Sequence, residues 1–76
     1  MTDPTLMLNR ERRALLHDVQ AGRVYRSMGG CDLRQVRRGQ NQRVDRKLRE
    51  LAQAGWVALD TDGRTYVLTD TAPPLR

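Results

Sequence analysis

The sequence contains one cysteine, one histidine, one lysine and no phenylalanine, and its aromatic residues amount to 4%. Cys31 alone closes no intrachain disulfide and supplies too few ligands for a structural zinc site, which excludes a stapled secreted mini-protein and fits a protein of the reducing cytoplasm. Long apolar runs are missing as well. Nothing approaches the roughly 18 residues that span a bilayer, and Met1 to Leu8 has neither a basic start nor a leader-like apolar stretch. One His, one Cys and scattered carboxylates provide no nucleophile beside a base, no paired acids and no metal-ligand spacing, so no catalysis, metal or cofactor is expected. His17 reads as an ordinary surface or boundary residue, and Cys31 as a small buried or half-buried one. There is no internal repeat and no low-complexity tract.

What the sequence does have is charge of one sign and one kind. Fourteen Lys plus Arg against nine Asp plus Glu leave +5, and thirteen of the fourteen cations are Arg. The planar guanidinium suits phosphates and guanine edges, so nucleic acid is the first partner to consider. The ends, residues 1–22 and 55–76, are near neutral. Between Arg34 and Ala54 stand Arg34, Arg37, Arg38, Arg43, Arg46, Lys47 and Arg49 against only Asp45 and Glu50, a local +5 equal to the charge of the whole chain. A solvated helix face is the plainest source of such a run. Trp56 and Tyr66 fall where a core needs them, which leaves Tyr25 as the one open aromatic and gives little support to base stacking on single strands.

A chain of 76 residues is one small domain that buries only about 60% of its unfolded surface. The domain is expected over 6–71, with flexible tails at 1–5 and 72–76. Asn9 predicts the N-cap of a first helix whose buried stripe is Leu15, Leu16 and Val19 and whose stop is Gly22. Val24 to Ser27 reads as a short strand ending at Met28-Gly29-Gly30. Two readings then compete. Asp32 with Gln35 forms a capping box, and with Gly39 as a stop it predicts a short second helix. Alternatively, Val24 to Ser27 pairs with Asp32 to Val36 as a hairpin around Gly29-Gly30. The helix ranks first, because the hairpin's faces mix Arg with Leu. Asn41 then predicts the cap of a longer helix reaching Ala54, with Val44, Leu48, Leu51 and Ala52 on one stripe, ended by Gly55 and covered by Trp56. Finally, Asp62-Gly63 as a two-residue turn pairs Val57 with Leu68, Ala58 with Val67, Leu59 with Tyr66 and Asp60 with Thr65.

The resulting α+β order, helix-strand-helix-helix-strand-strand, resembles the winged-helix form of helix-turn-helix DNA-binding proteins. Val44-Asp45-Arg46 through Leu48, Leu51, Gly55, Trp56 and Val57 is similar to the end of recognition helices in multiple-antibiotic-resistance-type bacterial regulators. Asp62-Gly63-Arg64 followed by Leu68-Thr69 resembles their wing and its exit. The chain departs from that pattern in its minimal first two helices, in Asp45 where Thr or Ser is common, and in lacking flanking dimerisation helices. The resemblance implies that residues 41–54 enter a major groove while the loop around Arg64 reaches adjacent backbone. Gln42, Arg43 and Arg46 are then expected at base edges, and Arg37, Arg38, Lys47, Arg49 and Arg64 at phosphates. The expected function is sequence-specific binding of double-stranded DNA by a small transcriptional regulator or recombination accessory protein, as a homodimer or in tandem copies. The alternative is a protein-interaction adaptor, directed for example at RNA polymerase or another regulator.

Overall fold

Asn9 opens the first helix, α1 (Arg10–Gln20), in the computed structural model, which describes residues 7–75. Its side-chain oxygen accepts from the Arg12 amide at 2.8 Å and satisfies one of the helix's orphan donors. The far end closes when the Gly22 amide donates to the Val19 carbonyl and the Arg23 amide to the Asp18 carbonyl. That closure requires a left-handed residue, and Gly22 takes it at φ +78°. Leu15, Leu16 and Val19 are buried, as their spacing predicts.

The middle of the chain corrects the expected order. Residues 24–43 contain no short second helix. They form an antiparallel meander of β1 (Val24–Arg26), β2 (Asp32–Arg37) and β3 (Gln40–Arg43), with β2 in the centre. The hairpin that ranked second is the one adopted: Val24 faces Arg34, Tyr25 faces Leu33 and Arg26 faces Asp32. The winged-helix order is therefore not that of this protein. Two long-range interactions explain why the capping box loses. The Asp32 carboxylate is held by the Tyr66 hydroxyl at 2.8 Å, and the Asp32 amide donates to Asp45 Oδ1 at 2.8 Å, so neither serves a helix start. The mixed Arg and Leu faces are resolved by pairing. Arg34 shares the inward face with Val24, and its guanidinium meets the Asp18 carboxylate on α1. Gly39 is not a helix stop either; at φ +76° it completes the Arg38-Gly39 turn between β2 and β3. Beside that turn the register steps from Gln35 opposite Asn41 to Arg37 opposite Gln40, which makes Val36 the extra residue of a bulge.

The second helix, α2, runs over Asp45–Gln53 rather than from Asn41 to Ala54. Asn41 lies in β3, and the N-cap position falls to Val44, which caps nothing with its side chain. The Val44 amide donates to the Asp32 carbonyl at 2.9 Å and ties the helix start to the base of β2. At the other end the Gly55 and Trp56 amides donate to the Ala52 and Leu51 carbonyls, with Gly55 at φ +82°, the same closure that ends α1. Val44, Leu48 and Leu51 are buried, whereas Ala52, expected on that stripe, is exposed on its flank.

The final hairpin, β4 (Val57–Leu59) and β5 (Tyr66–Leu68), has the expected register. Its connection is wider than a two-residue turn. The Asp60 amide donates to the Thr65 carbonyl, leaving four residues between them, and Gly63 donates back to Asp60. Asp62 shapes this loop by accepting from the amides of Thr65 and Arg64 and from the Thr65 hydroxyl. Those donors, the Thr65 amide first, hold its carboxyl below the usual carboxylate range. The hairpin joins the meander where the Arg26 amide donates to the Arg64 carbonyl at 2.6 Å and Tyr25 bridges Thr65. One core results, built from Leu15, Leu16 and Val19 of α1, Val24, Val44, Leu48, Leu51, Val57 and Tyr66. Leu75 packs against it and brings part of the expected tail 72–76 onto the body, whereas the expected tail 1–5 lies outside the described residues. No helix among the described residues is long and apolar enough to cross a membrane.

Tyr66 is the polar keystone of this packing. Its hydroxyl donates to Asp32, and Arg26 donates to the same hydroxyl at 2.9 Å. Burial of the phenol, then the Asp32 carboxylate beside it, raises its pKa above the ordinary 10. A raised folded-state pKa means that the stabilisation is present below about pH 10 and is lost as pH rises through the folded value. Melting temperatures recorded by circular dichroism should therefore fall on the alkaline side of pH 10 in the wild type. In Tyr66→Phe they should start lower at neutral pH and fall less steeply.

Candidate nucleic-acid interface

β3 is exposed over its full length, and its four side chains, Gln40, Asn41, Gln42 and Arg43, are all hydrogen-bonding groups. Three steps of extended chain place its ends about 10 Å apart. At one end the turn carries Arg37 and Arg38, both exposed. At the other, Arg43 leads through Val44 into the first turn of α2, where Gln42, Arg43, Arg46 and Lys47 line one shallow depression with Asp45. The structure thus brings together four of the residues expected to contact DNA. It does so from two elements: Gln42 and Arg43 project from a strand, and only Arg46 and Lys47 from the helix.

The cations around this surface divide into paired and unpaired groups. Arg34 pairs with Asp18, Arg43 Nε lies 2.9 Å from Asp45 Oδ2, and Lys47 Nζ lies 3.7 Å from Glu11 Oε2. Arg37, Arg38, Arg46, Arg49 and Arg64 have no carboxylate within 4.0 Å among the described residues. Arg49 stands on α2 over a second hollow, which it shares with Arg26, Asp32, Asp45 and Tyr66. Arg64 is not part of the cluster. It sits in the β4–β5 loop beside Tyr25, and β1 and β2 separate it from β3.

Asp45 organises the junction between arm and helix. It accepts from the Asp32 amide and from Arg43, and these interactions, the amide first, hold its carboxyl below the usual range. Arg43 is in turn held more firmly protonated by Asp45. Asp45 thereby fixes where the Arg43 guanidinium stands. The first-turn amides of α2 have no side-chain cap from Val44, so they add partial positive charge to the same depression.

Sequence reasoning misses Gln40 and Asn41, the latter because its side chain also suits a helix cap. The signal that marks them is the run Gln40-Asn41-Gln42-Arg43 directly after Arg38-Gly39, with no apolar residue to anchor a helix turn. Comparison of the chain with protein-family models, with curated proteins and with solved structures finds no match in any of the three.

Proposed function

We propose that this protein binds double-stranded DNA by laying the β2–β3 arm across a groove, with the first turn of α2 on the adjoining backbone, as a small non-enzymatic regulator or accessory protein. The observation that carries this reading is the layout of β3: three amides and a guanidinium, all exposed, over about 10 Å with cations at both ends. A major groove is about 12 Å wide and admits a two-stranded ribbon. Arg37 and Arg38 then meet phosphates on one rim, and Arg46 and Lys47 meet those on the other, which sets position without reading sequence, while Arg49 faces the second hollow and takes no part. Between the rims one face of β3 presents Asn41, whose paired donor and acceptor match adenine in the major groove, and Arg43, whose fork matches guanine, while Gln40 and Gln42 alternate to the strand's other face. Arg46, expected at base edges when it was placed in a longer helix, is assigned to the rim. Arg64 takes no part in this contact.

One observation favours the adaptor reading. The outer edge of β3 has no strand partner among the described residues, and an extended peptide could be added there. Salt separates the two readings. Fluorescence anisotropy on a labelled duplex between about 50 and 200 mM salt should show log affinity falling linearly with log salt, and the roughly four phosphates neutralised by Arg37, Arg38, Arg46 and Lys47 give a slope of about −3.6. A duplex that fails to bind at the low-salt end, or binds with a slope near zero, removes the DNA reading.

A further inference from the structure

We infer that the arm also deforms the duplex it binds, with Val36 acting as an apolar wedge at a base-pair step; this rests on the DNA reading above. From Arg34 to Arg43 the chain is polar or glycine at every position except Val36. That residue is 46% exposed and takes no part in the core. Isolated exposed aliphatic residues are common on protein surfaces and need no explanation by themselves. Three features set this one apart. Val36 is the extra residue of the β2 bulge, where the alternation of side chains along the strand is broken and a side chain is aimed away from its regular face. It stands level with the exposed amides Asn41 and Gln40, on the stretch proposed to cross the groove. Next to it come Arg37 and Arg38, two cations with no carboxylate partner among the described residues.

Together these groups make a bending device. Insertion of an aliphatic side chain between stacked bases partly unstacks them, and the apolar surface leaves water as it enters. A β-branched side chain is already restricted at χ1, so little rotamer freedom is lost in doing so. Arg37 and Arg38 neutralise the phosphates beside that step, which holds the opened step against the arm. Flexible pyrimidine–purine steps yield most readily to such a wedge, so they are the preferred sites.

The test is end-to-end energy transfer on a duplex of about 25 base pairs carrying 2-aminopurine at one TA or CA step, titrated with the full chain. Wild type should shorten the end-to-end distance and raise the 2-aminopurine emission. Val36→Thr keeps the shape and strand preference of the side chain but adds a hydroxyl. It should melt like wild type and keep the salt slope of binding while losing both signals; Val36→Leu should retain them. A wild-type complex with a straight, fully stacked duplex overturns the inference and leaves the DNA reading standing, as does a Val36→Thr complex bent like wild type. No binding of the duplex at all overturns both.

Discussion

Replacement of Arg37, Arg38 and Arg46 together by alanine makes the salt dependence of duplex binding shallower by about 2.7, at roughly 0.9 for each phosphate that is no longer neutralised, and changes the melting temperature by no more than about 4 °C. The two halves of this expectation have one cause. All three guanidinium groups are exposed and none has a carboxylate within 4.0 Å among the described residues, so the fold draws no ion pair from them. Their removal relieves like-charge repulsion and breaks no ion pair. Arg34→Ala is the instructive contrast. Arg34 is half-buried and its Nε donates to Asp18, so its removal leaves a partly buried carboxylate short of a partner and lowers stability. A triple variant that melts far below wild type, or keeps the full salt slope, contradicts the division into binding and structural cations.

The second large effect is on the core. Leu51 is fully buried in the one core of the domain, and Leu51→Ala should cost about 2–5 kcal/mol, lowering the melting temperature by on the order of 10–30 °C. A domain of this size has total stability of only about 0.05–0.15 kcal/mol per residue, so that single truncation removes a large share of it. Ala52, its neighbour on the expected stripe, is exposed, and Ala52→Ser should cost less than about 0.5 kcal/mol. Thermal and urea melts of the two variants side by side check the orientation of α2, and similar destabilisation at both positions would mean that the helix is rotated about its axis.

The parts of the fold legible in the sequence are those fixed by neighbours along the chain. Asn9 and Gly22 bound α1 because caps act within a turn of themselves, and Gly55 with Trp56 ends α2 for the same reason. The pairing of Val57 with Leu68 and of Leu59 with Tyr66 follows from alternation on either side of Asp62-Gly63. The local pattern of residues 32–43 misleads because distant partners decide their state. The local signals, Asp32 with Gln35 and Gly39, describe a helix start and stop. Asp32 is instead engaged by Tyr66 and Asp45, and Arg34 by Asp18, interactions that span 13 to 34 positions of sequence. Asn41 was likewise a plausible cap until the turn at Arg38-Gly39 made it a strand residue. The candidate site was legible in composition and not in shape: the charge run points to Arg43, Arg46 and Lys47 and the recognition-helix resemblance adds Gln42, and these four do share a surface, but the platform is mostly a strand-and-turn arm.

The DNA reading stands or falls on whether this arm, and not the helices or the last hairpin, meets the duplex. Titration of the isotopically labelled protein with a short duplex, followed by amide chemical shifts, answers that residue by residue. The largest changes should fall on Arg37 to Arg43 and on Asp45 to Lys47. Changes confined to α1 around Arg10 and Arg13, or to the β4–β5 loop around Arg64, with β2 and β3 unmoved, would contradict it.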